Sequence, residues 1–253
     1  MNLEKLTRIQ MIKIANHCHY HKKKAQELIE GIKNYTGEAA MLLRIEDDSI
    51  SLCSELQHQN SCFTHSFLDP KLQRRAVQKN QCLLKACNNK KREIQSVIAL
   101  TAGWGKDSFI LATHGQQVTM LEQNPLVFNC LNYLLTIARH DSDAQTCQRL
   151  TIVNQNSLHY LQAETRVTAD CLYLDPMFPA HKSSALPSKD LQILQLLTEN
   201  MDIDALFKLA LNRAKFRVVV KRPIHAQALN DRKPDIVYRE KTIRFDVYLT
   251  NNR

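Results

Sequence analysis

Residues 97–107 read VIALTAGWGKD, an apolar run that ends in two glycines separated by a single residue. A short strand that leads through such a turn into a helix is typical of the ligand-binding edge of a parallel α/β sheet. Gly103 and Gly105 allow the backbone to turn sharply and to approach a ligand closely. The segment therefore predicts the first strand and the first helix of a Rossmann-like domain.

Strand-like and helix-like segments alternate after this turn. Four further strands are predicted, at 117–121, 150–153, 171–174 and 216–220. The alternation predicts a mostly parallel, doubly wound α/β sheet, with helical segments near 189–213 between the last two strands. The strand-like runs 235–239 and 242–249 flank a short turn, which predicts a C-terminal antiparallel hairpin. We assign residues 91–253 to this domain.

Residues 1–90 carry a weaker pattern. Apolar side chains between Ala25 and Ile32 recur with the spacing of one buried helix face, and we predict that residues 1–36 are helical. Residues 41–53 are more strand-like. We therefore expect a smaller, mixed α+β region at 1–90, which is a candidate for contact with RNA.

The chain carries 34 basic and 25 acidic residues, and its net charge of +9 favours an anionic partner. Residues 1–90 contribute +5 and residues 91–253 contribute +4, so neither part alone accounts for the excess. No apolar run reaches the length of a membrane span. The first residues lack the pattern of a secretory signal, and we expect a cytoplasmic protein.

Cysteines and histidines are the candidate metal ligands of the sequence. The eight cysteines contain no CxxC pair, and free thiols are expected in a cytoplasmic protein. A metal site is one interpretation of His17-Cys18-His19-Tyr20-His21, since His17 and His21 would share a helix face. No second ligand cluster lies nearby in the sequence, and Lys22-Lys23-Lys24 would repel a cation. We interpret this segment as a polar surface and expect no metal.

Glu122 follows the second predicted strand of the α/β domain, seventeen residues beyond Gly105. An acid at this place can accept hydrogen bonds from both ribose hydroxyls of a nucleoside cofactor. A tight turn followed by a surface glutamate is the alternative, but the glycines and the acid together favour a cofactor. Ser108 stands where a dinucleotide fingerprint has its third glycine, which argues against a dinucleotide.

Asp175-Pro176-Met177-Phe178-Pro179 directly follows the predicted strand at 171–174. An aromatic amino group is a poor nucleophile, and an enzyme that methylates it must orient the nitrogen and accept its protons. Asp175 and the Pro176 carbonyl can supply acceptors, and Phe178 offers a face on which a base can stack. A proline-rich turn is the alternative. The position at the carboxyl end of a strand favours the catalytic interpretation.

Lys221 and Arg222 follow the predicted strand at 216–220, on the same edge of the sheet as Asp175. Binding of RNA phosphates is the functional interpretation of this pair. A solvated strand edge is the alternative.

These motifs occur in the order found in the ribosomal RNA small subunit methyltransferase J family, which methylates the 2-amino group of a guanine in 16S rRNA. The chain resembles that family over residues 97–249. The matching segments are 99–107, 121–125, 173–179, 217–223 and 244–248. This chain departs from the family at Ala99, where the family has aspartate, at Lys106, where it has arginine, and at Asn156-Ser157, where it has two serines.

The resemblance implies a class I methyltransferase fold with S-adenosylmethionine (SAM) as cofactor. It also implies a set of cofactor contacts: Lys106, Asp107, Glu122, Gln123, Asn156, Ser157 and Asp175. The partner it implies is 16S rRNA, free or in the small ribosomal subunit. Two alternatives stay open at this point. One is an amino-methyltransferase for another RNA or for DNA, and the other is an RNA-binding protein that keeps the fold without turnover.

Overall fold

The computed structural model describes residues 9–14, 19–33, 35, 41–56, 59–88, 93–141, 144–163, 169–176, 188–197 and 201–250. The chain packs into two compact units. The first unit comprises Met1–Pro70, Asn124–Ala144 and Met177–Glu199, and the second comprises Lys71–Gln123, Gln145–Pro176 and Asn200–Arg253. The units are interleaved along the chain, unlike the single boundary predicted at residue 90.

Strands and helices alternate through most of the described chain. The strands are β1 (Ile9–Ile14), β2 (Met41–Ile45), β3 (Ile50–Leu56), β4 (Gln59–His65), β5 (Ser96–Ala99), β6 (Gln117–Glu122), β7 (Leu150–Asn154), β8 (Ala169–Leu174), β9 (Ala214–Pro223), β10 (Ile236–Arg239) and β11 (Ile243–Leu249). The helices are α1 (His19–Ile32), α2 (Pro70–Ala76), α3 (Cys82–Ala86), α4 (Lys106–Thr113), α5 (Pro125–Asp141), α6 (Ala144–Gln148), α7 (Ser157–Ala163), α8 (Lys189–Leu197) and α9 (Ile203–Arg213). A short 3₁₀ helix at Leu229–Asp231 follows β9.

The second unit is built on a sheet with the strand order β10-β11-β9-β8-β5-β6-β7. The five strands from β9 to β7 are parallel, and β11 and β10 complete the sheet in antiparallel pairings. The predictions of a mostly parallel Rossmann-like sheet and of a C-terminal hairpin are therefore confirmed.

Apolar side chains from β8, β9, α7 and α9 form much of the core of the second unit. Prominent buried members are Leu161, Leu172, Leu174, Phe207, Val218, Val220 and Tyr248. β9 follows α9 directly in the chain and packs against it. Strands covered in this way read as continuous apolar runs, which is why β8 and β9 could be recognised from the sequence.

The first unit contains a smaller sheet with the order β1-β2-β3-β4. β1 is parallel to β2, and the other pairings are antiparallel. The prediction of a helix over 1–36 is wrong at β1, where IQMIKI pairs with β2, and right at α1. α1 packs against α5, which belongs to the same unit although residues 71–123 separate it from Pro70. This packing explains why a boundary at residue 90 could not describe the units.

The expectation of free thiols is wrong for one pair. Cys53 in β3 and Cys62 in β4 form a disulfide. The two residues stand directly opposite each other in the antiparallel register, which brings their Cα atoms to 4.1 Å. The described cysteines outside this pair, at 82, 87, 130, 147 and 171, are not disulfide-bonded. Within the described residues, no helix has the length and apolar composition needed to cross a membrane.

Candidate functional site

The residues predicted to bind a cofactor come from the carboxyl ends of neighbouring parallel strands. β5 lies between β6 and β8, and β7 lies on the far side of β6, so their following loops share one edge of the sheet. Backbone hydrogen bonds continue the pairing beyond β5, from Leu100 N to Tyr173 O (2.8 Å) and from Ala102 N to Leu121 O (3.1 Å). Ligands of open α/β sheets bind at such an edge.

The turn after β5 depends on its two glycines. Gly103 has a φ of 52° and Gly105 a φ of 67°, in the left-handed region where a Cβ is unfavourable. Gly105 directly precedes α4, and its carbonyl accepts a hydrogen bond from Phe109 N at 2.9 Å. The turn therefore brings the N–H groups of the first turn of α4 to the sheet edge, where they can face a polar or anionic group.

Glu122 ends β6 and is 8% exposed. The next residue, Gln123, accepts a hydrogen bond at Oε1 from the Asn156 side chain at 2.6 Å. Asn156 also caps α7, because its side-chain oxygen accepts from two main-chain N–H groups of that helix at 2.9 and 3.2 Å. Ser157 is buried and donates to the Leu100 carbonyl. Asn156 and Ser157 thus hold the loops of β5, β6 and β7 together.

Two carboxylates and one lysine form the most charged part of this edge. Lys221 Nζ donates to Asp175 Oδ2 at 2.7 Å and to Asp107 Oδ2 at 3.0 Å. The Tyr173 hydroxyl donates to Asp107 at 2.7 Å, and the Arg75 guanidinium lies 3.6 Å from the other Asp107 oxygen. We call Asp107, Tyr173, Asp175 and Lys221 the charged network.

Strand pairing explains why Asp175 and Lys221 meet. β8 and β9 are parallel, and Tyr173 stands opposite Val219 in their register. Two residues further along each strand, the same register brings Asp175 opposite Lys221. Side chains two residues apart point to the same face of a sheet, so Tyr173, Asp175 and Lys221 share one face.

Asp175 is the most exposed carboxylate of the network. Its side chain is 37% exposed, against 13% for Asp107 and 23% for Lys221. The Asp175 N–H donates to Thr101 Oγ1 at 2.8 Å, which fixes the end of β8 relative to the turn after β5. A substrate can therefore reach the carboxylate of Asp175 while its backbone is held in place.

The network shifts the pKa of each of its charged groups. Burial raises the pKa of Asp175, and the charge of Asp107 adds to this shift, while Lys221 opposes it without cancelling it. Burial alone would raise the pKa of Asp107, but Lys221, the Tyr173 hydroxyl and Arg75 lower it. Burial would lower the pKa of Lys221, but the two carboxylates raise it. The network therefore favours the ionised form of Asp107 and makes Asp175 a stronger base than an ordinary carboxylate.

Lys221 and Arg222 were predicted to bind RNA phosphates, and both side chains have partners within the protein. Lys221 points to the charged network. Arg222 is 8% exposed, and its guanidinium donates to the Gln227 carbonyl. Adjacent residues of a strand point to opposite faces, which explains the different surroundings of the two. Their contact with RNA stays a prediction.

The other predicted site residues lie around this network. Lys106 is the first residue of α4 and is half-buried. Pro176 is buried directly after Asp175. Two further residues of the predicted catalytic motif, Met177 and Phe178, lie outside the described residues, so the predicted stacking of a base on Phe178 stays a prediction.

Sequence reasoning missed Tyr173 and Arg75. Tyr173 could have been found from its spacing of two residues from Asp175, which places both side chains on one face of β8. Arg75 lies in α2, 32 residues before Asp107, and no local pattern links the two. Only the packing of α2 in the second unit brings them together.

A second polar cluster lies in the first unit, where α1 packs against α5. His21 is 6% exposed, with Nδ1 3.4 Å from Asp47 Oδ1 and Nε2 3.2 Å from the Asp141 carboxylate. His140 Nδ1 lies 2.7 Å from Asp141 Oδ1. We call these four residues the histidine cluster. The interpretation as a polar surface is wrong for His21, because its helix face is buried against α5.

The histidine cluster also contains atoms that could serve as metal ligands. The ligand atoms of His21, His140 and Asp141 all lie within 4.8 Å of one another. Their mutual hydrogen bonds suffice to explain this proximity. His17, which was predicted to share a helix face with His21, lies outside the described residues.

The edge of the second unit fits the chemistry of SAM. Glu122 can accept hydrogen bonds from ribose hydroxyls, as acids at this position do in nucleotide-binding sheets. The N–H groups after Gly105 can face a carboxylate, and the ionised Asp107 can pair with a cationic group. SAM carries a ribose, an amino acid part and a cationic sulfonium.

Comparison with known proteins agrees with SAM as the ligand of this sheet edge. A family model described as "Putative SAM-dependent methyltransferase" matches residues 27–250. Ribosomal RNA small subunit methyltransferase J of Thioalkalivibrio sulfidiphilus is 40% identical over 181 residues, which are 70% of this chain and 71% of that protein. The protein of the same name from Buchnera aphidicola is 35% identical over 217 residues, 83% of this chain and 87% of its own length.

A solved structure leads to the same family assignment. The crystal structure of a SAM-dependent methyltransferase from Neisseria gonorrhoeae is 28% identical to this chain, covers 94% of both chains and has a TM-score of 0.67. Its similarity extends over both units of the protein. The chain therefore belongs to the family of SAM-dependent methyltransferases that includes the ribosomal RNA small subunit methyltransferase J proteins.

Proposed function

We propose that this protein transfers the methyl group of SAM to the exocyclic 2-amino group of a guanine in 16S rRNA. The observation that carries the proposal is Asp175, a partly exposed carboxylate of raised pKa at the carboxyl end of β8. The choice of substrate is supported by the relatives of this chain, which are ribosomal RNA small subunit methyltransferase J proteins.

Asp175 provides what methylation of such a nitrogen requires. When bound, SAM supplies an electrophilic methyl group on a cationic sulfur. The guanine amino group is a weak nucleophile because its lone pair is delocalised into the ring. Asp175 can accept a hydrogen bond from one N–H, which orients the lone pair, and then take up the proton that the nitrogen must lose. Its raised pKa makes it a better acceptor for that proton.

Lys221 controls the direction and the charge of Asp175. Its amine holds Asp175 Oδ2 at 2.7 Å, which leaves the other carboxylate oxygen for the substrate. Because Lys221 also pairs with Asp107, it keeps a carboxylate partner when Asp175 becomes protonated. The network can therefore take up a proton on Asp175 without leaving the lysine charge unpaired.

The remaining edge residues hold the cofactor. Glu122 is placed to bind the ribose, with Gln123 fixed beside it by Asn156. Gly103 and Gly105 let the backbone approach the amino acid part. Met177 and Phe178 follow Asp175 in the chain, and we assign them to contact with the target base. The substrate is the small ribosomal subunit or its free rRNA, in the cytoplasm.

Transfer of labelled methyl groups tests the proposal. Small subunits and 16S rRNA from cells that lack this protein serve as substrates, beside 23S rRNA and double-stranded DNA of similar length. We expect label only in 16S rRNA, at one guanine whose N2 position is identified by mass spectrometry of nuclease fragments. Label in 23S rRNA or DNA would favour another amino-methyltransferase. Absence of label from every substrate, with SAM bound, would favour an RNA-binding protein without turnover.

A further inference from the structure

The excess positive charge of the chain is concentrated in one segment. Residues 70–92 contain eight basic residues and no acidic one. The remainder of the chain has 26 basic and 25 acidic residues, a net charge of only +1. A boundary at residue 90 divides this segment, which is why the two parts of the sequence appear equally charged. We call residues 70–92 the basic segment.

Three basic residues of the basic segment share one face of α2. Lys71, Arg74 and Arg75 have the i, i+3, i+4 spacing of one helix face, and all three are exposed on α2. Leu72 and Ala76 on the same helix are buried. The exposed Lys79 and Lys85 continue the positive surface beyond the helix. The three residues Lys90, Lys91 and Arg92 lie outside the described residues.

Internal side chains hold this segment on the second unit. His114 Nε2 lies 2.9 Å from the Ala76 carbonyl at the end of α2. Gln116 Nε2 donates to the Cys87 carbonyl at 3.0 Å, and Arg217 Nη1 donates to the Ala86 carbonyl at 2.8 Å. These bonds fix the backbone that carries the basic side chains.

Arg75 connects this surface to the site. Its guanidinium is half exposed and lies 3.6 Å from Asp107 of the charged network. The basic face of α2 therefore begins at the edge where Asp175 lies, within the same compact unit.

We propose that the exposed basic residues of α2 and of the turn after it bind backbone phosphates of the substrate RNA beside the methylation site. The inference rests on the proposed function for the identity of the nucleic acid. Phosphate contacts of this kind fix the register of an RNA without reading its sequence. They would add to any phosphate contacts made by Lys221 and Arg222.

The test compares two variants that lose the same charge. One carries Lys71→Gln, Arg74→Gln and Lys79→Gln, which keep long side chains of good helix propensity. The matched control carries Lys208→Gln, Lys233→Gln and Lys241→Gln, at exposed positions of the same unit. Arg75 is left unchanged because it contacts Asp107. The affinity of each for a 16S rRNA fragment is measured by fluorescence anisotropy over a series of salt concentrations.

Each phosphate contact contributes about 0.7 to 0.9 to the slope of log affinity against log salt, so the α2 variant should lose about two units of slope. Its affinity at low salt should fall about tenfold or more, while the control stays within about threefold of the wild type. SAM affinity by calorimetry should be unchanged in both. A third variant with Lys71→Arg and Lys79→Arg keeps the charge and should bind RNA like the wild type.

The outcomes separate this inference from the proposed function. An unchanged slope in the α2 variant, or an equal loss in the control, overturns the inference and leaves methylation of 16S rRNA standing. A wild-type protein that binds RNA through α2 but methylates none of the RNAs overturns the proposed function alone. If the α2 variant melts at a lower temperature than the wild type, the single substitution Arg74→Glu replaces it. This substitution reverses one charge and tests the same salt dependence of RNA binding with fewer changes to the protein.

Discussion

The charged network and the histidine cluster are built from similar groups in different surroundings. The network lies where parallel strands end, and its Asp175 side chain is 37% exposed. The histidine cluster lies between two packed helices, where His21 is 6% exposed and each ring nitrogen lies near a carboxylate. The sheet edge leaves one carboxylate accessible to a substrate, whereas the helix pair uses its carboxylates to satisfy a buried ring. We infer that the first cluster serves chemistry and the second serves packing.

Removal of the Asp175 carboxylate should reveal the largest difference in function between the charged network and the histidine cluster. Asp175→Ala is expected to lower the single-turnover rate of methyl transfer by about a hundredfold or more, since each ~1.4 kcal/mol of lost transition-state stabilisation costs tenfold. The protein should stay soluble and should still bind RNA. Asp141→Ala in the histidine cluster is the control and should turn over at nearly the wild-type rate. Similar losses in both variants would remove the distinction.

Glu122 tests the part of the sheet edge that is proposed to bind SAM. Glu122→Ala should weaken SAM binding by about tenfold, because two hydrogen bonds to the ribose are lost at about 0.5 to 1.5 kcal/mol each. Glu122→Gln keeps one acceptor and should lose less. Titration calorimetry measures both. An affinity equal to the wild type in Glu122→Ala would place the ribose elsewhere.

Lys221→Met should change the pH dependence of the reaction. Methyl transfer requires ionised Asp175, so the rate falls as pH decreases through the pKa of that group, which burial already raises. Lys221 opposes this shift, and its removal should raise the pKa further and move the acid limb of the rate profile to higher pH. A pH profile of the single-turnover rate measures this shift.

Lys221→Arg tests whether the pH profile depends on the positive charge at residue 221 or only on the size of the side chain. It keeps the positive charge and should restore the acid limb to near its wild-type position. An acid limb that stays in place in Lys221→Met would show that Asp175 is not the titrating base. Lys215→Met, at an exposed lysine paired with Asp170, is the control and should leave the profile unchanged.

The smallest effect on turnover is expected in the histidine cluster. His21→Ala should lower the free energy of unfolding by about 1 to 2 kcal/mol, because Asp47 and Asp141 lose a hydrogen-bond partner. The rate of methyl transfer should change less than about twofold. Thermal and urea denaturation measure the first effect, with His19→Ala at an exposed position of α1 as control. A large loss of turnover in a stable His21→Ala protein would connect this cluster to catalysis.

The parallel sheet could be predicted because each of its strands is a local pattern. β5 and β8 are short apolar runs followed by turn residues, and such runs are visible without knowledge of their neighbours. β1 was missed because its IQMIKI run lies beside a strongly helical segment, and its strand state depends on pairing with β2. The disulfide was missed for a related reason. Cys53 and Cys62 become partners only once β3 and β4 adopt their register.

The residues of the site also divide into those that a local sequence motif predicts and those that only the fold brings together. Gly103, Gly105, Glu122 and Asp175 were predicted because each belongs to a motif of a few residues. The side chains of Lys221 and Arg75 could not be assigned their partners, because those contacts join residues 46 and 32 positions apart. Lys221 was recognised as a functional cation, but only the register of β8 and β9 shows that it faces two carboxylates.

The strand order also sets the stage of synthesis at which the site can assemble. β9 is the last parallel strand to leave the ribosome, and it pairs with β8 on the side away from β5. Before β9 emerges, β8 has an unpaired edge, and Asp107 and Asp175 lack the lysine that joins them. The arrival of β9 therefore closes that edge and joins the two carboxylates through one cation in the same event. A nascent chain that stops before Ala214 keeps an open strand edge and is a ready substrate for chaperones.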